Sequence, residues 1–177
     1  MALITVSDLN DYAADYASTL ATATKQIIVD AAEAEVEKYL GYDPISGARV
    51  FRFVGYGNAE QVLDIPNASA ITAVTIDGVT ASPSAYTLDA DLNAVRLTGL
   101  LFTRDKICTV SYTAGWATIP GEIKLAALRI GALMLTEAQG NIGITSKSFA
   151  DMTRQFINTT NFNKYLLPLS HLRRNAL

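Results

Sequence analysis

The chain has 177 residues, half of them hydrophobic and 18% charged, which is enough for a packed core and excludes a disordered or coiled-coil protein. One cysteine, Cys108, and one histidine, His171, exclude an intramolecular disulfide and a Cys/His zinc site. Net charge is only −3, so no global basic field draws the protein to nucleic acid, yet the charge is uneven. Residues 1–48 carry eight acidic and two basic side chains, residues 49–145 eight and seven, and residues 146–177 one and five. Ends of opposite sign suit either separate solvated surfaces or a contact between copies.

The opening MALITVSDL has no basic stretch and no long apolar run, so neither a signal peptide nor a membrane span is expected, and synthesis in a cytoplasm is. Ser7–Asp8 reads as a helix start. A longer amphipathic helix is expected from about Thr22 to Leu40, its apolar face made by Ile27, Ile28, Ala31, Ala32, Val36, Tyr39 and Leu40, with Gly41 at the C-terminal cap. At 100° per residue, Asp30, Glu33 and Glu37 share the opposite face with Gln26 beside them, while Glu35 falls near the apolar side and needs a partner.

From residue 49 the pattern changes to short alternating runs punctuated by Gly, Pro, Asn and Asp. The expected strands are 49–54, 61–65, 71–76, 85–88, 94–97 and 107–112, with turns at 55–58, Pro66–Asn67, Asp77–Gly78, 89–93 and 113–115. No helical period interrupts them, so the reading is an antiparallel sheet or small β-sandwich inserted between helices, an α+β fold. Pro120 opens a further helix to about Ala138. Ile123, Ala127, Ile130 and Met134 form one apolar face, Leu125, Leu128, Ala132 and Leu135 a second, and only Glu122, Arg129 and Thr136 make a polar stripe. A helix apolar almost all round is either central to its own chain or covered by another subunit, which makes Leu125, Leu128 and Leu135 candidate interface residues. Ala127 and Gly131 are small enough for a close approach to Ala31 and Ala32. Residues 139–150 read as a loop or arm, and Asp151 as the cap of a weak helix to Leu167 that Pro168 ends. The tail LSHLRRNAL mixes apolar and basic residues. The organisation is thus one domain: helices over 1–48, β region 49–115, central helix 116–138, and arm, helix and tail 139–177.

Little in this pattern carries chemistry. His171 lies beside Arg173 and Arg174 and reads as a docking residue rather than a general base. Cys108 alternates within ICTVSY as a small core residue. Gly55–Asn58 lacks the Gly-Lys-Ser/Thr of a phosphate loop and reads as a hairpin turn, and Asp89 and Asp91 lack the spacing of a calcium loop. Trp116 reads as a core plug. No catalytic residue, metal site or cofactor is expected. Two readings of other classes are a monomeric binding module with a pocket lined by Tyr86 and Phe102, and a carboxylate-only enzyme using some of Glu60, Asp64, Asp89 and Asp91.

Three stretches in order, Glu37-Lys-Tyr-Leu-Gly41, VSYTAGW leading into IPGEIKLAALRIGALML, and LLPLSHLRR, give the chain a resemblance to the head-tail connector or adaptor proteins of tailed bacteriophages and prophages. The segments VLDIP, AITAVTIDG and AYTL are similar to the longer adaptors, which carry a sheet between their helices. The resemblance implies a structural, non-enzymatic virion protein at the head-tail interface, made in the host bacterium and assembled as a ring, commonly dodecameric, beneath the portal. Its partners would be further copies of itself, the portal protein, the next head-completion or tail protein, and genomic DNA passing through the channel without sequence-specific binding; no membrane is involved. Residues Leu169–Leu177 would reach the portal, with Leu169 and Leu172 as apolar anchors and His171, Arg173 and Arg174 as polar ones. In such a ring Asp30, Glu33 and Glu37 would line the channel, meet a neighbour's basic C-terminal region, or form a solvated outer face. A tail-completion protein is the nearest alternative.

Overall fold

The computed structural model describes residues 2–17, 20–138, 146–149, 152–155 and 162–174. The architecture is α+β, divided into a helical unit (residues 1–40 and 119–171) and a β unit (residues 41–118 and 172–177).

In the helical unit, α1 (Val6–Tyr12) starts one residue before Ser7, because the cap is Thr5. Its hydroxyl accepts the Asp8 N–H at 3.1 Å while the Asp8 carboxylate accepts the Thr5 N–H at 2.8 Å, a reciprocal capping box. A short α2 (Ala14–Ala17) follows, then α3 (Thr22–Leu40). The buried face of α3 is Lys25, Ile28, Val29, Ala32, Val36 and Leu40, so the helical period holds. Ile27, expected inside, is 68% exposed, and Val29 takes the place assigned to it. Gly41 follows at φ 83°, the left-handed conformation that ends helices and that glycine adopts without a Cβ penalty. Glu35 finds its partner in Lys38 at 3.7 Å.

Helix α4 (Gly121–Thr136) packs against α1, α2, α3 and the short α5 (Asn163–Leu166). It is therefore the central helix of this unit, with Ile123, Ala126, Ala127, Leu128, Ile130, Gly131 and Leu135 buried. The approach to α3 is as close as the small residues suggested: a Cβ built on Gly131 would lie 3.7 Å from Ala32 Cβ and 3.2 Å from a Leu9 methyl. Lys124 Nζ reaches Asp8 Oδ1 at 2.7 Å and ties α4 to the start of α1.

The arm-and-helix expectation for 139–167 is corrected. Strands β8 (Ser146–Phe149) and β9 (Met152–Gln155) form an antiparallel hairpin with Ser146 opposite Gln155. The α-helix is confined to Asn163–Leu166 and passes into a 3₁₀ segment, Leu167–Leu172, at Pro168. The physical reason lies in the Ser, Thr and Asn content, whose side chains compete for backbone hydrogen bonds and weaken a helix. The parts of those expectations on 139–145, 150–151 and 156–161 lie outside the described residues.

The β unit holds seven strands in two antiparallel sheets. β1 (Gly47–Val54), β7 (Ile107–Ala114), β3 (Ala68–Ile76) and β4 (Val79–Thr80) form one in that order; β2 (Glu60–Val62), β6 (Ala94–Leu97) and β5 (Tyr86–Asp89) form the other. All six expected strands are present within a few residues. β4 was missed because two residues are too few to show alternation; the Asp77–Gly78 turn before it, with φ 50° and 81°, is the tight connection that makes a hairpin. Phe51, Leu63, Ile65, Val74, Val95, Leu97, Phe102, Cys108, Val110 and Tyr112 fill the core. Asn93 stitches it: its Nδ2 donates to the Leu63 and Ile65 carbonyls at 3.2 and 2.9 Å, and its Oδ1 accepts the Ala68 N–H at 2.9 Å. Trp116 is half-buried, its ring 6.3 Å from that of Tyr42.

Gly115 sits at φ 99°, and a Cβ there would lie 2.7 Å from the Ile45 carbonyl oxygen. Gly115→Ala is expected to destabilise the β unit by about 2 kcal/mol or more, and Gly78→Ala, where the space is open, by about 1 kcal/mol, as read by chemical denaturation. The hydrogen bond from Lys124 is the largest cause holding the Asp8 carboxyl below its ordinary 3.8. A carboxyl depressed in the folded state stabilises above its unfolded value, and that contribution is lost as pH falls through the folded one. Asp8→Asn is therefore expected to cost about 1 kcal/mol at neutral pH, with the gap to the unaltered protein closing as acid takes the pH below 3.8.

Candidate assembly surfaces

The tail, read from sequence as a free docking segment, is held by its own chain. Leu169 is fully buried in the helical unit and belongs to that core. His171 stays at the surface, its Nδ1 3.0 Å from the Pro168 carbonyl oxygen and its Nε2 3.4 Å from Glu122. In the β unit, the Leu172 carbonyl accepts the Tyr42 hydroxyl at 2.7 Å. Arg174 pairs with Asp64, whose side chain is 5% exposed and whose other oxygen accepts the Tyr112 hydroxyl at 2.6 Å. Burial and then the Asp64 carboxylate both push the Tyr112 hydroxyl far above its usual range, so it is a fixed donor. Arg173 is exposed. This ion pair escaped the sequence reading: 110 residues separate its members, and no local signal joins them.

Of the candidate interface leucines on α4, Leu128 and Leu135 are buried in the single chain, and Leu125 remains 37% exposed. The polar stripe is as expected, with Glu122 and Arg129 exposed and Arg129 lying 5.9 Å over the Tyr165 ring. On α3, Asp30 is exposed and accepts from Gln26 at 2.8 Å. Glu33 is not a spare charge: its Oε1 accepts the Ile4 N–H at 2.9 Å and holds the segment before α1. Glu37 is half-buried.

The carboxylates of the β unit are structurally engaged. Arg96 bridges Glu60 at 2.7 Å and Asp89 at 3.1 Å across β2, β6 and β5, Asp64 belongs to Arg174 and Tyr112, and Asp91 is exposed in the turn after β5. Phe102 is fully buried and Tyr86 bonds the Thr72 carbonyl at 3.2 Å, so the aromatic-lined pocket expected of a binding module is corrected. Among the described residues, no three His, Cys, Asp or Glu are placed to hold a metal ion, and no helix is long and apolar enough to cross a membrane.

Exposed apolar surface is concentrated elsewhere. Val50, Val54 and Ile107 stand on the outer side of the four-stranded sheet, and Val79, Leu100 and Leu101 line an open cleft of about 640 Å³. The molecule is thus an α+β protein distinguished by uncovered apolar surfaces. It belongs to the head completion protein family, whose model matches residues 2–168. That membership bears out the resemblance to phage head-tail connectors drawn from the sequence. The fold is similar to a chain in the neck of an empty GTA particle computed with C6 symmetry, at 17% identity over 99% of this chain and 91% of that one, TM-score 0.59. It is similar also to a chain in the neck of a native GTA particle computed with C12 symmetry (16% identity, 97% and 89% covered, TM-score 0.57) and to one in the virion of a native gene transfer agent particle (14%, 99% and 91%, 0.59). At these identities the likeness is one of fold. No curated protein matches the chain significantly.

Removing Arg174 leaves a buried carboxylate with only the Tyr112 hydroxyl. Arg174→Ala is expected to lower stability by about 1–3 kcal/mol, discounted from the fully buried case because the arginine is half-exposed, and Asp64→Asn in the same chain should recover most of the loss. A double-mutant cycle by urea denaturation reads both.

Proposed function

We propose that the chain is a structural protein of the virion neck, whose copies form a ring beneath the portal, join head to tail and extend the channel through which DNA passes. Its family membership over residues 2–168 carries the reading. The fold shared with neck chains of particles computed with C6 and C12 symmetry supports it. So does the concentration of exposed apolar side chains on surfaces with no chemistry of their own.

The role of each predicted surface is narrowed by where its residues lie. With Leu169 buried, any portal contact of the tail falls to residues from His171 onward, and recruiting Arg174 would uncover Asp64 unless the portal supplied a replacement cation. Among the acidic residues of α3, Asp30 is the exposed one and the better candidate for a neighbour's basic residues or the channel wall.

The test is to mix the purified chain with portal assemblies and image the product. The expected result is an added ring of density coaxial with the portal; portals that remain bare at saturating protein would overturn the reading. Asp30→Asn separates the two uses of the acidic face. Weaker ring formation at low salt indicates pairing between copies, and intact rings that retain more DNA indicate the channel.

A further inference from the structure

The four-stranded sheet of the β unit has an outer face unlike that of an ordinary solvated sheet. Alternation along β1 points Ala48, Val50, Arg52 and Val54 away from the core, and the register sets them beside Thr113, Ser111, Thr109 and Ile107 of β7. The next positions on β3 are Ala70, Ala73 and Thr75. An antiparallel sheet with one wet face normally covers it with charged and polar residues. Here the only charge is Arg52, which has no hydrogen-bond or ion-pair partner among the described residues, and Val50 is 69% exposed. Asp77, paired with Lys106 at 2.8 Å, lines the same shallow depression as Val50, Arg52 and Ile107, so its charge is already neutralised within the chain. A face of valines, alanines and hydroxyl side chains with a single unpaired arginine is poor in charge for a surface open to water, and depletion of charge is the compositional mark of an interface.

The second apolar surface is on the other side of the same sheet. Ile76 and Val79 are paired across the β3–β4 hairpin, one position along from Thr75 and Thr80, and so face the opposite way. With Ala81, Leu97, Leu100 and Leu101 they line the open cleft, which carries no charged residue; Val79 is 71% exposed and Leu101 54%.

We infer that these two surfaces are complementary halves of one contact, in which the outer sheet face of one copy docks on the cleft of the next copy. The inference rests on the ring reading above and names its contact. Two different patches on opposite sides of one rigid sheet are what a head-to-tail, repeating contact needs, whereas a two-fold dimer would pair one patch with itself and leave the other bare. A second copy suits them better than DNA, because neither patch holds the cluster of basic residues that phosphates require. Size points the same way. Three strands of eight, eight and nine residues span roughly 14 by 30 Å, well under the ~800 Å² per partner of a stable pair, so a single contact is weak and a closed ring, in which every copy makes two, is the stable state.

The experiment uses the full chain with Cys108, which is buried, replaced by alanine. Val50→Cys and Leu101→Cys variants are prepared separately and oxidised with diamide under the conditions in which the unaltered protein forms rings on the portal. The expected result is a disulfide-linked pair that is abundant when the two variants are mixed and several-fold scarcer with either alone. Abundant dimers of a single variant would show a two-fold contact and overturn the inference, as would rings that form without any mixed disulfide; in both cases the ring reading itself stands. Absence of rings from the unaltered protein would sink both. Val50→Asp and Val79→Asp give a second readout: both positions are exposed, so far-UV circular dichroism and melting should be unchanged while rings are lost. Rings that persist in both variants would overturn the contact.

Discussion

A carboxylate placed inside an apolar β unit has to be met by a cation and by donors, and Asp64 imposes that requirement on this chain. Tyr112 on β7 supplies a hydroxyl that burial prevents from ionising. The cation comes from Arg174, so the last described residues belong to the β unit although the chain has run through α4, a hairpin and α5 in between. The Tyr42 hydroxyl secures the Leu172 carbonyl on the way. A tail that looks available for docking in the sequence is thereby committed, and whatever it does in an assembly begins from this bound state.

A second constraint acts in the helical unit. Helix α4 is apolar on nearly every side, and such a helix has to be covered whether or not the protein assembles. The chain covers it with α1, α2, α3 and α5, and Leu169 of the following 3₁₀ segment is buried in the same unit. Covering α4 internally buries Leu128 and Leu135 and leaves Leu125 partly exposed. Most of the large apolar side chains left exposed are on the β unit, whose two sheets are held by Asn93 and a close-packed aromatic pair, Phe53 and Phe102, with centroids 5.1 Å apart. A rigid sheet presents two opposed faces at fixed separation, a property that a repeating contact between copies can use and a helix surface offers less readily.

Much of the fold was legible because local chemistry wrote it. The 3.6-residue period placed α3 and α4, Gly41 marked the cap, the small residues Gly131 and Ala32 announced a close helix crossing, and Gly, Asn and Asp at left-handed positions marked the turns between strands. The errors fall where local signals are weak or ambiguous. A Ser/Thr-rich stretch read as an arm and helix is a hairpin over Ser146–Phe149 and Met152–Gln155, and β4 is too short to show a period. Ile27 satisfied the helical pattern and still points outward, because the pattern counts spacing and cannot tell which of two adjacent apolar residues the neighbouring helix meets.

By itself the sequence determined the fold class, the order of elements, the absence of a Cys/His zinc site and the resemblance that family membership bears out, since all of these follow from composition, period and short motifs. Tertiary structure decided which charges and leucines are available. Glu33 is taken by the Ile4 backbone, Arg174 by Asp64, Leu128 and Leu135 by neighbouring helices, while Val50 and Val79 are left in solvent. Availability depends on contacts between residues far apart in the chain, and a buried charge or an uncovered valine has its meaning only once the chain has brought, or failed to bring, a partner to it.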